Sequence, residues 1–219
     1  MSSVAIQGNA AGAGVFTIAA PNSASSYTLT LPTNTGTIIA PASAGTSGQV
    51  LLSNGSGAAP SFGSAGKTLI QVQVLQTGTA ASGTTQIPYD NTIPQITEGT
   101  EFMTVTITPT SASSILEIRY QAYCSHSGAN YLTGAIFRDS TANALVAGAC
   151  YVNGGDGTFL LIGQYRVAAG STSATTFRFR MGQGNAGGTT YFNAVSAISP
   201  SGMFGGVEGS YLAVYEYAP

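Results

Sequence analysis

The sequence predicts an all-β protein: a C-terminal β-sandwich of jelly-roll type preceded by an extended N-terminal arm with short β-strands. Three observations carry this. Apolar and polar residues alternate with a period of two through successive short runs, as in Met103-Thr104-Val105-Thr106-Ile107. Clusters of Gly, Pro, Asn and Asp punctuate those runs at regular intervals. No apolar repeat of 3.6 residues survives a density of 29 Gly and 9 Pro, so helices are expected to be nearly absent.

The elements follow in order. Residues 1–66 form the arm, where Gly, Ala, Ser and Thr supply 41 of 66 positions and only 3 of the 20 Phe and Tyr occur. Short β-type runs stand at Val15–Ile18, Tyr27–Leu31, Thr37–Ile39 and Gln49–Leu52. In Tyr27–Leu31 the apolar residues alternate with threonines, giving a strand with one thin apolar stripe. A stripe of that kind needs a partner surface to bury it, either identical neighbouring chains or another protein.

Residues 67–219 form the sandwich. Strands are expected at Leu69–Leu75, Met103–Ile107, Ile115–Cys124, Tyr131–Arg138, Ala144–Val152, Thr158–Val167, Thr175–Met181, Thr190–Val195 and Tyr211–Tyr217. Eight or nine short strands with this turn punctuation indicate a sandwich. The last run places Leu212 and Val214 on one side and three tyrosines on the other, which suits a subunit contact.

Charge separates the two parts. Only 6% of the 219 residues are charged, against roughly 25% in an ordinary soluble domain. The first charged residue is Lys67. Nucleic-acid binding through phosphate neutralisation is excluded, because it needs clustered Lys and Arg. A coiled coil or a charged disordered tail would need far more Glu and Lys. No apolar run reaches the length of a membrane span. No Lys or Arg precedes the mildly apolar stretch from Ala10 to Ala20, so no secretory signal is expected.

The candidate chemistry is sparse. Cys124 and Cys150 are too few for a disulfide framework, and Cys124 reads as a buried thiol. Cys124-x-His126 offers two metal ligands without convergent partners. His126 is the only histidine, so any Ser-His-Asp or Cys-His arrangement must use it, yet no nucleophile elbow accompanies it. Glu98 and Glu101 read as loop residues rather than an opposed pair for glycoside cleavage. The glycines of 182–188 lead into a strand, so they read as a hairpin loop and not as a phosphate cradle. Arg178 and Arg180 share one strand face and either pair with Glu117 or Glu208 or face solvent. Tyr151, Asn153, Asp156, Asn185 and Tyr191 are the candidates for a sugar-binding end of the sandwich. No catalytic, cofactor-binding or metal-binding residue is assigned, and no cofactor is expected.

Ser26-Tyr27-Thr28-Leu29-Thr30-Leu31-Pro32, running into Thr35-Gly36-Thr37-Ile38, resembles a module of bacteriophage tail-fibre and related virion proteins. Gly45-Thr46-Ser47-Gly48-Gln49-Val50-Leu51-Leu52-Ser53-Asn54-Gly55, leading to Ala59-Pro60-Ser61-Phe62, resembles a second such module. Together they cover residues 14–66. The resemblance implies a non-enzymatic virion protein, a homotrimer, assembled in the bacterial cytoplasm without a cofactor. The length fits a short spike, a head fibre or a capsid decoration (cement) protein better than a long tail fibre. The implied partners are further copies of the chain, other capsid or tail proteins and, in a receptor-recognition role, a host-surface glycan. Neither nucleic acid nor membrane insertion is expected.

Overall fold

The structure is a computed structural model that describes residues 45–46, 49–55, 60–64, 66, 68–154, 157–195 and 202–219. The runs expected at Val15–Ile18, Tyr27–Leu31 and Thr37–Ile39 lie outside the described residues. The described residues form twelve strands: β1 (Gln49–Leu52), β2 (Ser61–Ser64), β3 (Leu69–Thr77), β4 (Ala81–Gly83), β5 (Thr100–Ile107), β6 (Ile115–His126), β7 (Asn130–Arg138), β8 (Val146–Val152), β9 (Phe159–Ala168), β10 (Thr175–Gln183), β11 (Thr190–Phe192) and β12 (Ser210–Tyr217). Among the described residues the one helical element is a 3-10 turn at Met203–Gly206. Strands β1 and β2 pair as a separate two-stranded sheet.

The sandwich starts at β3. One sheet runs β5-β10-β7-β8. The other is built on β6, which pairs with β12 through residues 115–121, with β11 through 124–126, and with β9 along its opposite edge. Strand β3 closes the far side of β12, and the short β4 does the same for β11. The two sheets therefore read β3-β12-β6-β9 and β5-β10-β7-β8, with β4 and β11 prolonging β3 and β12. This is the strand order of a jelly roll, in which, apart from the β7–β8 hairpin, successive strands of the sandwich alternate between sheets and paired neighbours are distant in sequence.

The core forms where period-two alternation points one face of each sheet at the other. From β6 come Leu116, Ile118, Tyr120, Ala122 and Cys124; from β10, Phe177, Phe179 and Met181; from β5, Met103, Val105 and Ile107. Leu212 and Val214 of β12 and Leu132 and Ile136 of β7 complete it. Tyr120 is the largest fully buried side chain, and its ring centroid lies 4.8 Å from that of Phe179 across the sandwich. Its strand neighbour on β9 is Gly163, where a Cβ would come within 2.4 Å of the Tyr120 ring. Only glycine leaves room for the tyrosine there. Burial pushes the Tyr120 phenol up to about 12.

Glu216 is fully buried at the inner end of β12. Its Oε2 accepts from Gln71 Nε2 at 2.6 Å, and its Oε1 accepts from the backbone N and the hydroxyl of Thr110 at 2.8 and 2.7 Å. The carboxylate thus ties β3 and the β5–β6 connection to the final strand. Burial alone would raise its pKa, but the hydrogen bonds from Gln71 and Thr110 overcome that and hold it at about 2.

Because the folded value lies below the ordinary 4.5, the Glu216 contribution is complete above pH 4.5. It is lost as pH falls from there toward 2, and amounts to about 3 kcal/mol. Melting temperature measured between pH 6 and pH 2.5 is expected to drop in that window, and Glu216→Gln to flatten the drop. An unchanged slope in the variant would show that other groups set it.

Candidate functional site

Alternation in β12 and β6 also dictates what faces outward. Register places Val72, Tyr215, Glu117 and Arg166 in one row across the outer face of the β3-β12-β6-β9 sheet. Val74, Ala213, Arg119 and Gln164 form the next row, and Gln76, Tyr211, Gln121 and Ile162 the third. Each margin of the face carries an exposed aliphatic side chain, Val74 at 62% and Ile162 at 65% exposed. An open hollow of about 420 Å³ lies on it, bordered by Arg119, Gln121, Ile162, Gln164 and Tyr211.

At the centre of this outward face sits a carboxylate that water scarcely reaches. The Glu117 side chain is 1% exposed because two guanidiniums cover it. Arg119 pairs with its Oε1, and Arg166 donates to its Oε2 through Nε at 2.6 Å. Burial pushes the Glu117 carboxyl up, and the hydrogen bonds from Arg119 and Arg166 pull it down further, so the net shift is downward. Each guanidinium also lies over a tyrosine ring, Arg119 over Tyr215 at 5.1 Å and Arg166 over Tyr217 at 6.0 Å. The tyrosine side of the last strand, expected from sequence as a contact surface, therefore carries an ion-paired centre of one carboxylate and two guanidiniums, with one positive charge in excess, within an aromatic and aliphatic field.

The other candidates disperse. Cys124 is buried in the core, where contact with the Cys150 thiol and burial hold its own thiol well above its ordinary pKa. His126 is also buried. Its Nε2 donates to Gln183 Oε1 at 2.7 Å, and its Nδ1 faces both Gly128 O at 2.9 Å and Gly128 N at 3.1 Å. Gln183 in turn donates to Thr84 O at 2.9 Å, so the imidazole is one link of an internal chain of bonds. Among the described residues no group of three or more His, Cys, Asp or Glu is placed to hold a metal ion.

Glu101 was expected in a loop, but it stands in β5, opposite Arg180 in the register with β10. Arg178 and Arg180 accordingly pair with Glu101, at 3.0 and 3.3 Å, and not with Glu117 or Glu208. Glu98 accepts from Gln95 N at 2.9 Å, and Glu208 accepts from the Thr158 hydroxyl at 2.8 Å. Of the glycine-rich stretch 182–188, Gly182 and Gln183 belong to β10, and only the remainder is loop.

The five sugar-binding candidates are only partly gathered. Tyr151 stands on β8, next to Tyr131 of β7. Asn185 is bonded through its backbone to the Asn130 side chain, beside the same tyrosines. Tyr191 belongs to β11, in the opposite sheet. Asn153 follows β8 and is exposed, and Asp156 lies outside the described residues. Sequence reasoning missed Tyr89 and Tyr131, which stack on one another. The available signal was two aromatics at mirrored ends of the β7–β8 hairpin, Tyr131 and Tyr151.

No protein-family model matches this chain, and no curated protein matches it. Among solved structures it is similar to Eiger TNF from S. frugiperda, at 12% identity and a TM-score of 0.38, over 69% of this chain and 94% of that one. It is similar to VP2 of the infectious bursal disease virus subviral particle at 11% identity and a TM-score of 0.29, over 77% and 42%. A third likeness is to the enzymatically active domain of bacteriophage CBA120 tailspike protein 4, at 16% identity and a TM-score of 0.24, over 57% and 19%. The chain thus spans less than half of the VP2 and tailspike chains it resembles. The jelly-roll assignment rests on strand order.

Glu117→Gln would leave two guanidiniums around a neutral amide. It is expected to cost about 2 kcal/mol in urea denaturation, since removing one partner of a buried pair strands the others. Wild-type stability in the variant would mean that the triad is structurally idle.

Proposed function

We propose that this protein is a non-enzymatic structural component of a bacteriophage virion, a trimeric surface projection (short fibre, spike or head fibre) attached to the particle through its N-terminal arm. The observation that carries this reading is the tyrosine face of the β3-β12-β6-β9 sheet. Val74 and Ile162 are exposed on a sheet whose central carboxylate is already neutralised within the chain. The buried carboxylate needs no partner from another chain, and the exposed guanidinium edges of Arg119 and Arg166 can stay in water while the aromatic and aliphatic area of identical faces leaves it. The occupants of the face are two further copies of the chain, related by closed symmetry. The sequence resemblance over residues 14–66 supports the arm as the attachment segment.

A second reading, a capsid decoration protein stabilising the shell, uses the same arm against the capsid surface and the same symmetry. A third, a receptor-recognition module for host-surface glycan, concerns the outward end of the sandwich and is compatible with the first. In each case the place of action is the virion, after assembly in the host cytoplasm.

Native mass determination is expected to return three chains, and Val74→Glu combined with Ile162→Glu to return a folded monomer. Both side chains point away from the core, so the melting temperature of the sandwich should move little. A stable wild-type monomer would sink the trimer, and a trimer indifferent to both substitutions would move the interface elsewhere. Deleting residues 1–66 is expected to leave a folded sandwich that no longer joins particles in a complementation assay. Unimpaired incorporation would refute the arm's role.

A further inference from the structure

The opposite side of the sandwich carries a second aromatic group, and it borders a groove. Residues 86–99 cross the outer face of the β5-β10-β7-β8 sheet and are pinned near both ends. Ile87 N donates to Gln183 O at 3.1 Å, and Ile96 N donates to Ala142 O at 2.8 Å. Ile87 and Ile96 also pack on Ala135 and Phe137 of β7. Between these anchors the chain forms a wall, and a groove of about 210 Å³ separates it from β7 and β8. Pro88, Tyr89, Asp90 and Pro94 line the wall, and Thr133 and Ala149 the floor.

Three features of the groove are unspent by the fold. Tyr89 stacks flat on Tyr131, with centroids 4.0 Å apart and planes 4° from parallel, and Tyr131 meets Tyr151 edge-on at 5.0 Å. Tyr89 and Tyr151 nevertheless stay 56% and 52% exposed, so an ordered aromatic ladder is presented to solvent. Thr133 on the floor is 6% exposed, and its hydroxyl has no hydrogen-bond partner among the described residues. Buried hydroxyls in folded proteins are almost always satisfied, so an orphan beneath a groove is a place for a ligand to complete. Asp90 takes both of its bonds, from Thr92 N at 2.8 Å and Thr92 Oγ1 at 2.6 Å, on Oδ1. Its Oδ2 stays available as an acceptor.

We propose that this groove binds a neutral saccharide. A pyranose has an apolar C–H face and a rim of hydroxyls that both donate and accept. The C–H face suits the Tyr89 ring, while the rim suits Asp90 Oδ2 and, after rotation about χ1, the Thr133 hydroxyl. Among the described residues no Lys or Arg lines the groove, and Asp90 brings a negative charge, so an anionic ligand is disfavoured. The rings of Tyr89 and Tyr131 lie against one another and do not surround a point, so the ladder is a platform and not a cage for an ammonium group. The inference rests on the recognition reading of the outward sandwich and is independent of trimer formation.

The test is saturation-transfer NMR on the full chain with D-glucose, D-galactose, D-mannose, L-rhamnose and N-acetyl-D-glucosamine, and with tetramethylammonium as a cation control. At least one sugar is expected to bind saturably with millimolar affinity. Tyr89→Ala is expected to weaken it at least tenfold. Thr133→Val keeps the shape of the floor and removes only the hydroxyl. It is expected to weaken binding about tenfold while the melting temperature stays level or rises. Tyr211→Ala, on the other face, is expected to leave binding unchanged. Absence of saturable binding by all five sugars would overturn the proposal. So would binding indifferent to both groove variants, or selective binding of tetramethylammonium. Native mass of the same sample keeps the two readings apart. A trimer that binds no sugar removes this inference alone, and a sugar-binding monomer removes the assembly reading alone.

Discussion

The sandwich depends on one strand and on the aromatic ring at its middle. Strand β6 pairs with β12, β11 and β9, so every strand of its sheet is attached to it directly or through one neighbour. Tyr120, near its centre, spans the gap to Phe179 of the other sheet. Two packed sheets stand about 10 Å apart, a gap that a tyrosine can fill only where its own sheet leaves space beside it. Gly163 on β9 leaves that space, whereas a Cβ at Gly148 on β8 would only reach ordinary contact with the Tyr120 hydroxyl, at 3.6 Å. The outward residues of β6, which carry the ionic centre of the tyrosine face, inherit their positions from this arrangement. If Tyr120 points in, Glu117, Arg119 and Gln121 must point out.

Scarcity of charge gives each ionic group a structural task. All five arginines are ion-paired: Arg119 and Arg166 on Glu117, Arg178 and Arg180 on Glu101, and Arg138 with Asp139. Glu216 is buried among neutral donors that fasten the last strand. The pairs lie at the surface, with Arg119 42% and Arg166 65% exposed around a buried Glu117.

Much of the fold was legible. Alternation located β3, β5–β10 and β12 to within a few residues and separated Leu212 and Val214 from the three tyrosines of the final strand. It missed β4, whose three residues, Ala-Ser-Gly, carry no apolar signal. It also placed Glu101 in a loop, because a strand whose first turn-side residues are Thr and Glu looks polar until its register with β10 is known. The site was less legible. Tyr89 and Tyr131 are far apart in sequence, and nothing local to either reports that residues 86–99 fold back over β7.

The sequence by itself determined the longer strands of the sandwich, their inward faces, the near absence of helix among the described residues and the charge-free character of the first 66 residues. Each of these is a local property, written in composition or in a period of two. Tertiary structure decided the partners: Glu117 between two arginines, Arg180 against Glu101, His126 against Gln183, and Tyr89 upon Tyr131. In a jelly roll the neighbours across a sheet come from distant strands, so ion pairs and aromatic stacks depend on a register between segments that only long-range packing establishes.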